Sequence, residues 1–107
     1  MLAAPSNARS TAYANSLLVK ATPGTLYGMA GYNSGPDQFI QLYDAVSLPA
    51  NGVAPVVTFR VPAQNNFSIE FGPYGFRFDA GMVVGNSTTG PTKTIGAADT
   101  FFYGRYV

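Results

Sequence analysis

Apolar and polar residues alternate along most of this chain with a period of two. Val57, Phe59 and Val61 fall on one side of residues 55–61, and Thr58 and Arg60 on the other. That is the pattern of a strand with one buried face. Phe67-Ser68-Ile69-Glu70-Phe71 alternates strictly, and so does Phe76-Arg77-Phe78-Asp79. Leu17 to Lys20, Leu26 to Tyr32, Gln38 to Asp44 and Met82 to Val84 read as further strands, Thr92 to Ile95 as an edge strand, and Asp99 to Val107 as the closing one. Thr22-Pro23-Gly24, residues 33–37, Asn51-Gly52 and residues 85–91 are rich in turn formers.

This pattern predicts about eight short strands, one roughly every ten residues, and no helix with a 3.6-residue period. The expected fold is all-β: a single antiparallel β-sandwich, jelly-roll-like, over residues 16–107. Strand order is invisible to periodicity, so an immunoglobulin-like topology stays open. Gly28 and Gly31, inside a strand, signal a bulge or a close backbone approach. Residues 1–15 are small, polar and aperiodic. They read as an extended N-terminal arm, disordered alone or ordered on a neighbour.

Residues 38–44 break the simple alternation, because Phe39, Gln41 and Tyr43 face away from Ile40 and Leu42. One face then packs the sandwich, and the other is expected to meet a partner subunit. Tyrosine combines apolar area with a polar handle and suits interfaces. The candidate assembly interface is therefore Tyr13, Phe39, Gln41, Tyr43, Tyr74 and Tyr103, with core-edge packing as the competing role for the rings.

Composition removes most chemistry. The chain has 107 residues, enough for one domain and one core. It has no cysteine and no histidine, so it holds neither disulfides nor Ser–His–Asp or Cys–His arrangements. A metal would need oxygen ligands alone, yet Asp37, Asp44, Asp79 and Asp99 are isolated in sequence. Asp44 and Asp99 read as turn formers that accept backbone N–H bonds at strand ends. No spacing suggests a glycosidase carboxylate pair. The expectation is a non-enzyme without metal or cofactor.

The six basic and five acidic residues give a net charge of +1, and the basic ones are scattered. No phosphate-binding face is expected, hence no nucleic acid. No apolar run approaches the ~20 residues of a spanning helix, and the first residues lack the basic start and apolar stretch of a secretory signal. The glycosylation patterns at Asn66 and Asn86 then read as chance matches. So few charges give little protection against self-association, which suits a protein that assembles.

The run LLVKATPGTLYGMAGYNSG, followed by QFIQLYDAVSLPANGVAPVVTFRVPA and GFRFDAGMVVGNSTT, resembles a family of small tailed-bacteriophage structural proteins. The matching features are Pro23-Gly24, Asn33, Tyr43-Asp44, Gly52 to Pro55 and Gly75 to Gly81, over roughly residues 16–90. They are backbone and packing features. The resemblance implies a virion component, most simply a capsid decoration (cement) protein on the capsid surface. Its partners would be the major capsid protein or other virion proteins, and a homotrimer suits a three-fold site. The alternatives are a tail or baseplate component, or a carbohydrate-binding module using loops 33–37 and 85–91 for host attachment.

Overall fold

The alternating segments become strands because each can bury one row of side chains while its backbone pairs with a neighbour. The computed structural model describes residues 5–107. The described residues contain nine strands: β1 (Ser6–Arg9), β2 (Ser16–Lys20), β3 (Gly24–Asn33), β4 (Gln38–Asp44), β5 (Val57–Val61), β6 (Asn65–Glu70), β7 (Phe76–Phe78), β8 (Met82–Ser87) and β9 (Thr100–Tyr106). Two sheets form, in the orders β1-β9-β3-β6 and β2-β8-β4-β5, with every pair antiparallel. β7 pairs with Gly24–Leu26 of β3, on from the stretch that β6 covers, so β6 and β7 act as one edge strand interrupted by a turn.

The pairs are nested along the chain: β1 with β9, β2 with β8, β3 with β6 and β7, β4 with β5. Successive pairs belong to alternate sheets. This is a jelly-roll winding, and the strand order rules out an immunoglobulin-like topology.

The core lies between the sheets. The β3 sheet supplies Leu26, Met29, Phe67, Phe78 and Phe102, and the β4 sheet supplies Val19, Ile40, Leu42, Val61, Met82 and Val84. Phe67 sits among rings, 6.0 Å from Phe59 and 6.4 Å from Phe102 between centroids. Both glycine signals in β3 are realised. The pairing of β3 with β9 shifts register between Leu26 and Gly28. At Gly31 an added methyl would strike the Phe101 carbonyl and come within 2.5 Å of the Phe67 ring.

Three expectations are corrected. The segment expected as an arm is, at residues 6–9, an edge strand of this chain's own β3 sheet, because its backbone finds partners along β9; residues 1–4 of that arm lie outside the described residues. Residues 85–87, expected in a loop, complete β8: Gly85 pairs with both Ser16 and Gln41, and Ser87 with Phe39. Thr92–Ile95 is no strand and keeps only a single bridge, from Ile95 to Ser87.

Gly31→Ala is expected to destabilise the protein by about 1–3 kcal/mol through overpacking against a rigid carbonyl and a core ring. A lowered urea midpoint with an unchanged slope is the check. An unchanged midpoint would mean that β3 and β9 are not held at this separation.

Candidate assembly interface

The six candidate residues separate once the chain is folded. Gln41 is fully buried and Tyr43 is 2 % exposed. The chain itself covers the outward side of β4, using the loops 45–56 and 88–96. Gln41 Nε2 donates to the carbonyls of Thr89 (2.9 Å) and Gly90 (3.0 Å), and the Tyr43 hydroxyl donates to Gln41 Oε1 (2.6 Å). Phe39 is half-buried, its ring beside Gly90. Gln41 and Tyr43 therefore offer no surface to a partner subunit, which corrects the expectation for this face of β4.

The two loops lock together over the sheet. Gly52 N–H donates to the Lys93 carbonyl and Lys93 N–H to that of Val53, both at 2.8 Å. The Lys93 ammonium, buried, donates to Asn51 Oδ1 at 2.8 Å, and the Ile95 N–H reaches the same oxygen at 3.1 Å. Burial lowers the Lys93 pKa from its ordinary value. Val46, Val53 and Val56 of these loops are exposed, and Leu48, partly exposed, reaches down over Gly85 of β8.

A second polar cluster bridges the sheets at one end. Gln38 Nε2 on β4 donates to Asn33 Oδ1 on β3 (2.6 Å) and to Asp99 Oδ1 (2.9 Å). Asn86 Nδ2 on β8 donates to Asp99 Oδ1 (3.0 Å) and to Thr100 Oγ1 on β9 (3.1 Å). Asp99 thus accepts from side chains, not the backbone N–H groups expected of it. Asp44 does as expected: its carboxylate accepts the N–H groups of Asp79, Ala80 and Gly81, which lower its pKa. Asp37 accepts from Ala63 N–H and pairs with Arg60, and its pKa is likewise lowered. These carboxylates are committed to holding loops. Asn33 and Asn86 are fully buried, so loops 33–37 and 85–91 do not present these amides to a glycan, and folded Asn86 is closed to glycosylation.

Exposed rings gather instead on the outer face of the β3 sheet. Along β9, Phe101, Tyr103 and Arg105 alternate outward while Phe102 and Gly104 turn in. The register sets Phe101 beside Tyr32, Tyr103 between Arg9 and Ala30, and Arg105 between Asn7 and Gly28. Tyr13 leans onto Phe101 with ring centroids 4.5 Å apart, and the Tyr103 hydroxyl donates to Asn7 Oδ1 at 2.9 Å. Gly28 keeps the middle of the face low, so Glu70 crosses it to meet Arg105 at 3.0 Å. Arg9 makes no ion pair among the described residues. The face is thus a brace of rings and polar groups around Tyr13, Phe101 and Tyr103, each between 37 and 47 % exposed.

Of the six candidates, Tyr13 and Tyr103 come together here. Tyr74 is 92 % exposed, but sits at the tip of the turn Gly72–Gly75, next to the opposite end of β3. Phe101 and Arg9 were not among the expected residues, and Tyr32 lies beside Phe101. The alternation Phe101, Tyr103, Arg105 was a usable signal, but which side of β9 faces outward depends on the sheet to which it belongs.

Among the described residues, no group of three or more His, Cys, Asp or Glu is placed to hold a metal. No protein-family model, curated protein or solved structure matches the chain. The fold defines the class, an all-β jelly-roll sandwich.

Burial raises the Tyr43 pKa to about 12, against an ordinary value near 10. Below pH ~10 both folded and unfolded chains keep the proton, so the group has no effect on the pH dependence of stability. Between about pH 10 and 12 the unfolded chain loses it first and stability falls, by about 1 kcal/mol at pH 11. Tyr43→Phe should cost about 1 kcal/mol at pH 8 and make the alkaline loss smaller by a similar amount. Urea titrations at pH 8 and 11 measure both. Equal alkaline losses in the two proteins would mean that the phenol is open to solvent.

Proposed function

We propose that this protein is a non-enzymatic structural component of a tailed-phage virion. It acts as a capsid decoration protein that binds the assembled shell as a homo-oligomer, a trimer at a three-fold site. The jelly roll is used by viral shell subunits, lectins and cupins, so the fold by itself does not choose among them. The observation that carries the reading is the outer face of the β3 sheet. Its clustered rings are cross-braced yet exposed, whereas the central strands of the other sheet, β4 and β8, are covered on their outer side by the chain's own loops. Fixed aromatic side chains cost little entropy to dock and dominate interface energetics. The low net charge and the resemblance over residues 16–90 support the same reading.

Copy number per purified particle tests it first. A number comparable to the major capsid protein fits decoration, a small multiple of the tail symmetry fits a tail or baseplate component, and absence from particles overturns both. Tyr103→Ser and Phe101→Ser should each leave the protein folded and weaken shell binding about tenfold, the scale of a moderate interface anchor. Tyr74→Ser should bind normally. Loss of binding with Val46→Ser, but not with the ring variants, would move the docking surface to the aliphatic roof. Binding of neutral glycan arrays by free protein, lost with the same rings, would replace the decoration reading by a carbohydrate-binding module.

A further inference from the structure

The β1 strand is held differently from the rest of the roll. It has four residues, of which Ser6, Asn7 and Arg9 are exposed, and Ala8 alone packs at the margin of the core. Among the described residues its only strand partner is β9, in the register Ser6–Tyr106, Asn7–Arg105, Ala8–Gly104 and Arg9–Tyr103. The chain then follows β9 with bonds at Ser10 and Ala14, the Phe102 N–H also donating to Ser10 Oγ at 3.2 Å. Ser10 N–H donates to the Phe102 carbonyl at 2.9 Å, and Ala14 exchanges two backbone bonds with Thr100 at 2.9 and 3.1 Å. Between them Thr11 to Tyr13 leave the sheet, over an open recess of about 240 Å³ lined by the connecting segment and the start of β2. The segment 10–15 contains no glycine or proline, and it crosses from the β3 sheet to the β4 sheet.

These features describe a short edge strand with a well-defined seat. The segment joining it to the rest of the roll is fastened at Ser10, Tyr13, Ala14 and Asn15 and is exposed at Thr11 and Ala12. If β1 lifts off, it leaves the edge of β9 with unpaired N–H and C=O groups, a template for an added strand. The strand that fits that template, in a defined register, is β1 itself. We infer that β1 exchanges between copies of this chain, each copy's Ser6–Arg9 completing the β3 sheet of a neighbour along β9. Exchange keeps every β1–β9 hydrogen bond, so its net cost falls on the connecting segment alone, which is why strand swapping is a low-cost route to assembly. Fully extended, residues 10–15 reach at most about 20 Å, enough to pass between adjoining copies.

The consequence reaches the aromatic face. Arg9 stands beside Tyr103, and Tyr13 of the connecting segment leans on Phe101. When β1 crosses to a neighbour, Arg9 arrives beside the neighbour's ring, and the ring brace becomes a composite of two chains. This inference does not need the shell-docking reading, and a self-assembling protein of another function would exchange the strand equally well.

The test uses full-length chains, which have no native cysteine. Arg9→Cys and Tyr103→Cys are made in separate chains, co-refolded from urea and oxidised. Positions 9 and 103 lie opposite each other in the register. The control pairs Arg9→Cys with Ser68→Cys, on the same sheet face but two strands further away. The expected result is a disulfide-linked heterodimer several-fold in excess of the control, together with an oligomeric mass for the unmodified protein by light scattering. No excess over the control overturns the inference. So does a monomeric mass at the highest soluble concentration.

Discussion

Burial of the β4–β8 pair on both faces is the constraint around which this molecule is built. Ile40, Leu42, Met82 and Val84 face the opposing sheet, as in any sandwich. On the other side Gln41, Tyr43, Val83 and Ser87 are just as deeply buried, under loops of the same chain. Polar groups sealed in this way must be satisfied, and a lost partner costs about 1–3 kcal/mol. Gln41 Nε2 donates to the loop carbonyls of Thr89 and Gly90, Ser87 Oγ to Thr89 O at 2.7 Å, and the Tyr43 hydroxyl to Gln41 Oε1 on the strand itself. The loops are thereby held in place by the sheet they cover, and by each other through Asn51 and Lys93.

The amides between the sheets have a related part. Hydrophobic packing favours any arrangement of two apolar faces, whereas a buried amide tolerates few. Asn33, Gln38, Asn86 and Thr100 come from β3, β4, β8 and β9, two from each sheet; Gln38, Asn86 and Thr100 donate to one carboxylate oxygen of Asp99, and Asn33 joins them by accepting from Gln38. A slip of either sheet by one residue would strand several of these groups at once. At the far end of β4, Asp44 gathers three N–H groups of residues 79–81, so both ends of this strand are fastened by polar contacts.

The result is a molecule with unlike sides. The β4 sheet is roofed over β4 and β8, while Leu18 of β2 and Thr58 and Arg60 of β5 stay exposed beside the roof. The β3 sheet is bare, and small residues at its centre let rings and long polar side chains interlock across it. That asymmetry is what a protein needs if it meets an extended surface through one face. It also fits a chain in which charge plays so small a part that Arg60–Asp37, Arg77–Asp79 and Arg105–Glu70 are the ion pairs among the described residues, all of them exposed.

Much of this was legible along the chain. Period-two alternation identified most of the strands, because a half-buried strand must alternate, and Val57-Thr58-Phe59-Arg60-Val61 does so in the fold as in the sequence. The glycines of β3 announced a bulge and a close contact, since a missing side chain inside a strand has few other uses. The two-sided character of Phe39–Tyr43 was also readable, but what covers the second side was not. A ring that packs under its own loop and a ring that awaits a partner have the same sequence, and loops 45–56 and 88–96 reveal their place only once the winding brings them over β4. The same holds for β1, too polar to look like a strand until β9 offers its edge, and for Phe101 and Tyr103, whose outward direction follows from strand order. Local pattern determined most of the strands, and composition left out cysteine and histidine chemistry. Tertiary structure decided which faces remain open, because exposure is a property of what else the chain places nearby.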